Sequence, residues 1–424
     1  MPHSKPKLTD METLNFARRH LQKYLSLEAD GRLCSTEILL DLLLAVAVQR
    51  GTLEALCADL VNVPDAETLR RYLNDQLDLE DLPALEAELN AALHAVLPPG
   101  LRGTQVEAAC DLHDRPYYGR TSQEEGGWVR GEAKAGTTRC YRVATIYTLR
   151  GGQRVTLGVK FVQASHSNVD IVTHLLDLAE EAGVRLGILY ADKGFAGVEV
   201  QKYLALRGQR AVIACAIRGK KGGTRALCVG RGSYRGQHTF GKGAKQHTAE
   251  VAVCRVKVKR GGKQGKMGWL VYILLGVEWS PAKVKRRYRR RFGIESSYRS
   301  GKQVSGWTTS PNGAYRFLLI GLGFYVSNCW VSLRWDVGRV VQRGGIRVKE
   351  GVLRLKRVAA FIRRAVERRY QVVESVECVS PPRGKSPLND VVWIYWDCKF
   401  RPFSETTAES AFFWIVVKPF QTCV

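Results

Sequence analysis

The order of apolar segments between residues 105 and 217 constrains the fold more than any other feature of the sequence. The first three segments alternate as strands do, and Arg150-Gly151-Gly152-Gln153 between the second and third indicates a hairpin. In the remaining segments, apolar residues at helical spacing alternate with the continuous apolar runs that are typical of buried strands. This order predicts an α/β fold with a mixed sheet and helices packed on it. The predicted strands are 105–110 ending at Asp111, 140–149, 154–162, 186–191 and 211–217, and the helices are 168–183 capped by Asn168 and 198–206.

Residues 1–100 are predicted to form a helical N-terminal domain. Two short helical patterns, 52–60 and 65–72, are separated by 61–64, and Asp65 is placed to cap the second one. This is the outline of a helix-turn-helix. Any helical bundle contains such pairs, however, and the segment is acidic overall. DNA binding by this element and a packing or dimerising role therefore both stay open.

The chain between residues 219 and 280 breaks the α/β pattern. It is rich in Gly and Lys and holds two further strand patterns, which predicts a β-rich basic insertion. Pro281 then opens a helix predicted to run through Lys302, since Pro is favoured in the first turn. The predicted organisation is a helical domain at 1–100, an α/β core at 101–218 and 281–340, the insertion at 219–280, and a basic C-terminal region of unassigned role at 341–424.

The positive charge is concentrated in one part of the chain. The 424 residues carry a formal charge of +25, yet residues 1–100 hold nine Lys and Arg against sixteen acids. Residues 207–302 hold twenty-five Lys and Arg against three acids, and 339–369 hold eleven against Glu350 and Glu367. Ordinary surfaces mix both signs, so this distribution predicts a polyanionic partner, with nucleic acid first.

The cysteines and the apolar segments indicate where the protein works. Eleven Cys without a CxxC pair are typical of free thiols in a reducing compartment. Met1–Asp10 has no apolar stretch of the kind found in signal peptides. Phe317–Leu333 is uncharged, but it is short for a membrane span and contains Ser327 and Asn328, so a buried core helix is predicted. We therefore expect a cytoplasmic protein without a membrane partner.

Three carboxylates stand where chemistry is expected. Asp111 and Asp192 each follow an apolar strand, at the edge where sheets of this kind bind ligands. Glu295 is the only acid between Glu278 and Asp336, inside the densest basic stretch. Asp114 lies close to Asp111 and competes with it for the first position. If the two strands are neighbours, the first two carboxylates converge.

One face of the helix after Pro281 carries a second constellation. Tyr288, Arg291, Glu295 and Lys302 have helical offsets of 0, 3, 7 and 14, which project to one side. Three carboxylates without His or Cys ligands favour Mg²⁺ or Mn²⁺, and two such ions would support in-line phosphoryl transfer. Arg291 and Lys302 would hold phosphates, and Tyr288 could stack on a base or cover a sugar. Gly241-Lys242-Gly243 lacks the context of a phosphate-binding loop, so no nucleotide cofactor is predicted.

Three blocks of the sequence resemble a known family. Asp111 precedes Pro116-Tyr117-Tyr118-Gly119 by five residues, Asp192 is followed by Lys193-Gly194-Phe195, and Arg290 to Arg299 contains Glu295. Over roughly residues 30–340 the chain resembles insertion-sequence DDE transposases of the Tyr-Arg-Glu-Lys signature group, whose core is ribonuclease-H-like. Relatives carry a β-rich insertion between the second and third acids. His113 and Asp114 depart from the first block, which is why Asp114 still competes with Asp111.

The resemblance implies metal-dependent DNA strand cleavage and strand transfer at the terminal inverted repeats of an insertion sequence. It also implies a homodimer acting on double-stranded DNA in a prokaryotic cell, near the nucleoid. The alternatives are a transposase-derived DNA-binding protein without catalysis and a nuclease with the same core. The implied catalytic and metal-binding residues are Asp111, Asp192 and Glu295, with two Mg²⁺ or Mn²⁺ ions, and the implied DNA contacts are Tyr288, Arg291, Lys302, Arg286, Arg287, Arg290, Arg299 and Lys193.

Overall fold

The computed structural model describes residues 7–134, 136–150, 153–220, 222–260, 263–292, 304–343, 345–349 and 351–376. The chain divides at Glu374, and the account below concerns the first unit, Met1–Glu374. The N-terminal segment is helical, as predicted, and Asp65 caps its fourth helix by accepting from the Thr68 N–H at 2.7 Å. Its elements are α1 (Asp10–Tyr24), β1 (Asp30–Gly31), β2 (Cys34–Ser35), α2 (Thr36–Gln49), α3 (Leu53–Ala58), α4 (Ala66–Gln76) and α5 (Leu82–Ala95).

A nine-stranded mixed sheet follows in the described residues. Its central strands are rich in Val, Ile, Leu and Tyr, which suits a pleated surface buried on both faces. Four helices are interspersed with the strands. The elements are β3 (Gln105–Pro116), α6 (Gln123–Gly126), β4 (Val129–Lys134), β5 (Thr137–Arg150), β6 (Gln153–Val162), α7 (Asn168–Glu181), β7 (Arg185–Ala191), α8 (Val198–Leu206), β8 (Ala211–Cys215), β9 (Tyr234–Phe240), β10 (His247–Arg260), β11 (Lys263–Leu275) and α9 (Pro281–Phe292).

The sheet has the strand order of a ribonuclease-H-like core. β6, β5 and β3 pair antiparallel, and β7 and β8 then continue the sheet parallel to β3. The predicted α/β fold is confirmed. Two local predictions were wrong: β3 runs past Asp111 to Pro116, because Asp111–Pro116 keep their ladder with β5, and Ser167 rather than Asn168 caps α7 through its hydroxyl.

The predicted insertion belongs to the same sheet. β11 pairs antiparallel with β8, from Val271 opposite Cys215 to Leu275 opposite Ala211, and β10 and β9 lie beyond it. These strands therefore widen the core and do not form a separate lobe.

The edge strand β6 is closed by side chains from two helices. Asn90 on α5 bonds both backbone groups of Val159 at 2.8 Å, Glu86 accepts from the Phe161 N–H at 2.7 Å, and the His94 ring lies 2.7 Å from the Leu157 carbonyl. Asn328 bonds both groups of Thr156, at 2.9 and 2.8 Å. The helices thus supply the hydrogen bonds that a neighbouring strand would otherwise make.

The last described elements are α10 (Gly313–Gly338), β12 (Arg339–Gln342), β13 (Gly345–Val348) and α11 (Leu355–Tyr370). Of the described helices α10 alone is long and apolar enough to cross a membrane, and 83% of its most apolar window is buried. Its prediction as a core helix is confirmed. α11 folds back on the N-terminal helices: the Tyr370 hydroxyl donates to Asp41 at 2.8 Å, and Arg369 pairs with Glu37 at 2.9 Å.

Candidate active site

Asp111 and Asp192 lie at matching levels of two neighbouring parallel strands. The ladder of β3 and β7 pairs Ala109 with Tyr190, and the same register, continued by two residues, sets Asp111 beside Asp192. Neighbouring strands are about 4.8 Å apart. Both carboxylates are half-buried. The two strands are therefore neighbours, which is the arrangement that brings Asp111 and Asp192 together.

The backbone fixes the direction of each carboxylate. An Asp192 oxygen accepts from the Lys193 N–H at 2.6 Å and caps the short 3₁₀ turn of Lys193–Phe195. An Asp111 oxygen accepts from the Leu112 N–H at 3.0 Å. Because alternate residues share a face of a strand, Asp111 lies on the face of Ala109, which belongs to a small apolar cluster with Tyr190 and Tyr288.

Helix α9 is anchored beside Asp192 by a tyrosine. The Tyr288 hydroxyl donates to the carbonyl of Ala191 at 3.0 Å, and its ring centre lies 4.8 Å from that of Tyr272 and 6.1 Å from that of Tyr190. Only 1% of Tyr288 is exposed. The predicted stacking of this ring on a base has to be corrected, because an enclosed ring offers no face to a nucleotide. Tyr288 instead holds α9 against the end of β7.

An ion pair forms a second contact between α9 and the sheet. Arg287 pairs with Glu107 of β3 at 3.3 Å, and the Tyr190 hydroxyl donates to the other oxygen of Glu107 at 3.1 Å. Arg287 also lies 5.7 Å from the ring of Trp279. Glu107 thus partly neutralises the charge of Arg287, whereas Arg286 and Lys193 are exposed. Of the other predicted site residues, Arg290 and Arg291 are in the backbone of α9, and Glu295, Arg299 and Lys302 lie outside the described residues.

Asp114 differs from Asp111 in both direction and partner. It is three residues further along an unbroken ladder, so its side chain leaves the opposite face of β3. Its two oxygens accept from Arg142 at 2.7 and 2.8 Å, and this hydrogen bonding raises the pKa of the Arg142 guanidinium. A forked pair of this kind gives Asp114 a structural role.

Arg154 is a site residue that the sequence did not reveal. Only 8% of this residue is exposed, and its guanidinium donates to the Thr145 hydroxyl at 2.7 Å and lies 4.0 Å from the ring centre of Tyr147. Thr145 stands directly opposite Asp111 in the ladder of β3 and β5. A buried cation therefore lies close to Asp111 on the same face. In the sequence an Arg that opens the second arm of a hairpin looks like a solvent residue, and only the pairing of the strands shows otherwise.

A cavity of about 440 Å³ opens where β3 ends. Its walls combine aromatic rings, among them the half-exposed Trp307, with the guanidiniums of Arg115 and Arg316. Burial lowers the pKa of Arg316, whose guanidinium lies 5.2 and 5.0 Å from the rings of Tyr117 and Tyr141. Within the described ranges no carboxylate lies within ion-pair distance of either arginine. The cavity therefore suits an anionic ligand with a flat ring.

The donor set agrees with a hard cation. Asp111 and Asp192 offer oxygen atoms only, which Mg²⁺ and Mn²⁺ prefer. In the portion of the chain that the structure describes, no group of three or more His, Cys, Asp or Glu side chains could hold a metal. The third predicted ligand, Glu295, is outside that portion.

Comparison with known proteins points the same way. No curated protein matches the chain. The cryo-EM structure of a piggyBac transposase synaptic complex with hairpin DNA has a similar fold, with a TM-score of 0.50 at 11% identity over 86% of this chain and 79% of that one. Residues 110–316, which span Asp111, Asp192 and α9, match the family model of the transposase DDE domain. The centre of this chain is thus similar to transposase DDE domains in sequence, on a fold shared with a DNA transposase.

Proposed function

We propose that this protein is a DNA transposase that cleaves and joins DNA strands at the terminal inverted repeats of its own insertion sequence. One observation carries the proposal: Asp111 and Asp192 stand at one level of adjacent parallel strands, and Tyr288 anchors α9 beside them. Two carboxylates at the edge of a ribonuclease-H-like sheet suit phosphoryl transfer on a nucleic acid backbone. The match of residues 110–316 to the transposase DDE domain supports the same reaction.

Asp111, Asp192 and Glu295 would hold two divalent cations in this proposal. Such ions, when bound, activate the attacking water or 3′-hydroxyl and stabilise the leaving oxygen. The Lys193 N–H holds Asp192 in one direction, so its carboxylate is presented at a defined angle. Arg154, buried near Asp111, would offset the repulsion between the carboxylates and orient the first of them.

The DNA would run along the basic surface around α9. Arg286 and Lys193 are exposed there, and we propose that they contact phosphates together with Arg290, Arg291, Arg299 and Lys302. The cavity lined by Arg115, Arg316 and Trp307 lies at the end of the same strand that carries Asp111. It would accept a phosphate and base of a strand leaving the active site.

A cleavage assay with paired variants tests the proposal. The protein is incubated with Mg²⁺ and a DNA fragment that carries the inverted repeats flanking its gene. Asp111→Asn and Asp192→Asn should each lower strand cleavage by about a thousandfold or more while DNA binding persists. Asp114→Asn is the matched control: it removes a carboxylate three residues away and should keep most of the activity.

Three results would contradict the proposal. Full activity of Asp111→Asn with loss in Asp114→Asn would move the first metal ligand to Asp114. Firm binding of the wild-type protein without cleavage would favour a DNA-binding protein derived from a transposase. Cleavage without any joined product would favour a nuclease. We also propose that the active form is a homodimer, which the mass of the protein on paired element ends would test.

A further inference from the structure

The ribbon formed by β12 and β13 is largely exposed, and the proposed function does not account for it. Arg339 and 341–343 on one side, and 345–347 and Lys349 on the other, are exposed. Each strand has four residues and spans about 13 Å. A two-stranded ribbon this isolated is marginal in water by itself, so an external partner is the expected source of further stability.

The ribbon is anchored firmly at its base. The Lys349 N–H donates to the Gly338 carbonyl at 2.9 Å, where α10 ends, and the Trp330 side chain donates to the Leu353 carbonyl at 2.9 Å just beyond the ribbon. Because α10 is a core helix, the ribbon projects from a rigid support. A partner would therefore meet a preformed shape.

The outer portion of the ribbon combines apolar and basic groups. Val341 and Ile346 are paired directly opposite each other, so they share one face, and they are 83% and 51% exposed. Arg343 follows this pair at the turn, while Arg347, which is paired with Val340, and Lys349 lie on the opposite face of the ribbon. None of the three has a carboxylate within ion-pair distance among the described residues. An exposed apolar pair with basic side chains close by suits a polyanion that also offers an apolar surface.

We propose that this ribbon enters a groove of duplex DNA, with Val341 and Ile346 as an apolar wedge against a base step and Arg343, Arg347 and Lys349 on the flanking phosphates. The inference rests on the proposed function, since it names a second DNA contact for the same protein. Apolar wedges of this kind unstack adjacent base pairs and bend the duplex, and the surrounding cations release counter-ions from the backbone. A ribbon about 13 Å long is sufficient to reach the floor of either groove.

Binding and bending of DNA can be measured apart from catalysis. The full-length protein is titrated, in EDTA, into a mixed-sequence duplex of roughly 30 base pairs that carries a fluorescent dye at each end. Energy transfer between the dyes reports bending, and fluorescence anisotropy at several salt concentrations reports the dissociation constant. The oligomeric mass is recorded for every variant by light scattering.

Two variants of the ribbon distinguish its basic groups from its apolar pair. Arg343→Gln/Arg347→Gln/Lys349→Gln should raise the dissociation constant about tenfold or more near physiological salt and flatten the log–log salt slope by roughly 2 to 3. Val341→Ser/Ile346→Ser should keep the salt slope but lose the bend. The matched control is the other short hairpin, whose tip also exposes an Arg and a Leu: Arg32→Gln/Leu33→Ser should leave both readouts unchanged.

The possible outcomes are distinct. Unchanged affinity and bending in both ribbon variants would overturn the inference while leaving the proposed function intact. A fall in oligomeric mass in Val341→Ser/Ile346→Ser, with DNA bending retained, would make the ribbon a contact between copies of the chain. Failure of the wild-type protein to bind any duplex would overturn the proposed function itself.

Discussion

At the scale of single residues, the position of Tyr288 would let it support the proposed reaction without touching the substrate. Its hydroxyl reaches the carbonyl that immediately precedes Asp192, and its ring fills the space between Tyr190 and Tyr272. The hydrogen bond therefore connects the helix that leads to Glu295 with the strand that leads to Asp192. A movement of α9 would therefore disturb the end of β7 next to Asp192.

Removal of this hydroxyl should slow the reaction. Tyr288→Phe keeps the ring packing and loses one hydrogen bond, so we expect the free energy of unfolding to fall by about 1 kcal/mol and the cleavage rate constant to fall far more than DNA affinity. Urea unfolding, single-turnover cleavage and anisotropy measure the three quantities. Tyr234→Phe removes a similar bond, from the hydroxyl to the Leu227 carbonyl, and should leave cleavage intact. Equal slowing in both variants would mean a general loss of stability.

Some residues could be placed from the sequence and others could not. Asp111 and Asp192 could be predicted as site residues because each follows an apolar run that is visible in the sequence, although β3 continues past Asp111 to Pro116. The sequence correctly predicts that Tyr288 lies on α9. Its position along the helix does not show whether that face is exposed or buried, however, and the predicted base stacking assumed an exposed face. Arg154 and Arg142 were missed because their partners, Thr145 and Asp114, depend on strand pairing. The spacing of residues along the sequence does not reveal which strands pair.

At the scale of secondary-structure elements, the boundary between α5 and β6 is held by polar groups in an otherwise apolar core. Glu86, Asn90 and His94 are spaced four residues apart, so they line one face of α5 and meet successive backbone groups of β6. Each buried backbone group would cost about 1–3 kcal/mol without a partner. The contact therefore fixes the register between helix and strand as well as closing the sheet.

Stability should depend on pH through His94. Burial lowers the pKa of His94 below its usual 6.5, against the smaller opposing effect of its bond to the Leu157 carbonyl. A depressed folded-state pKa means that the unfolded chain takes up the proton first as pH falls below about 6.5, so the stability contributed by the neutral ring is lost in that range. Urea unfolding at pH 7.5 and 5.5 should show a smaller difference for His94→Gln than for the wild-type protein. An equal difference would assign the pH dependence to other groups.

At the scale of the whole molecule, the two ends of the first unit are joined around one buried carboxylate. Asp41 on α2 is fully buried and receives hydrogen bonds from Arg18 of α1 and Tyr370 of α11, with Arg369 at 3.5 Å. Burial raises the pKa of Asp41, while the tyrosine and the two arginines oppose that change. The domain boundaries predicted from composition separated residues 1–100 from 341–424, and this long-range cluster has no local signal.

Loss of the Asp41 carboxylate should release the end of the unit. Asp41→Ala leaves the Tyr370 hydroxyl without its acceptor and removes one of the two carboxylates that pair with Arg18, which we expect to cost about 3 kcal/mol. Trypsin should then cut the basic helix α11 faster than in the wild-type protein. Glu367→Ala, which breaks only the surface pair with Arg363, should change stability by less than about 0.5 kcal/mol. Protection of α11 equal to wild type in Asp41→Ala would show that apolar packing alone holds it.

The pairing of β11 with β8 restricts how such a chain can change during evolution. β8 is a short strand whose first three residues are fully enclosed, whereas β9, at the far side of the insertion, is mostly polar and partly exposed. With β11, β10 and β9 in place, the border of the sheet is thus a strand that water tolerates and not the apolar β8. A descendant that lost residues 219–280 would bare β8 and become prone to aggregate. We therefore expect related chains to vary in the loops of residues 219–280 and to keep the strand that covers β8.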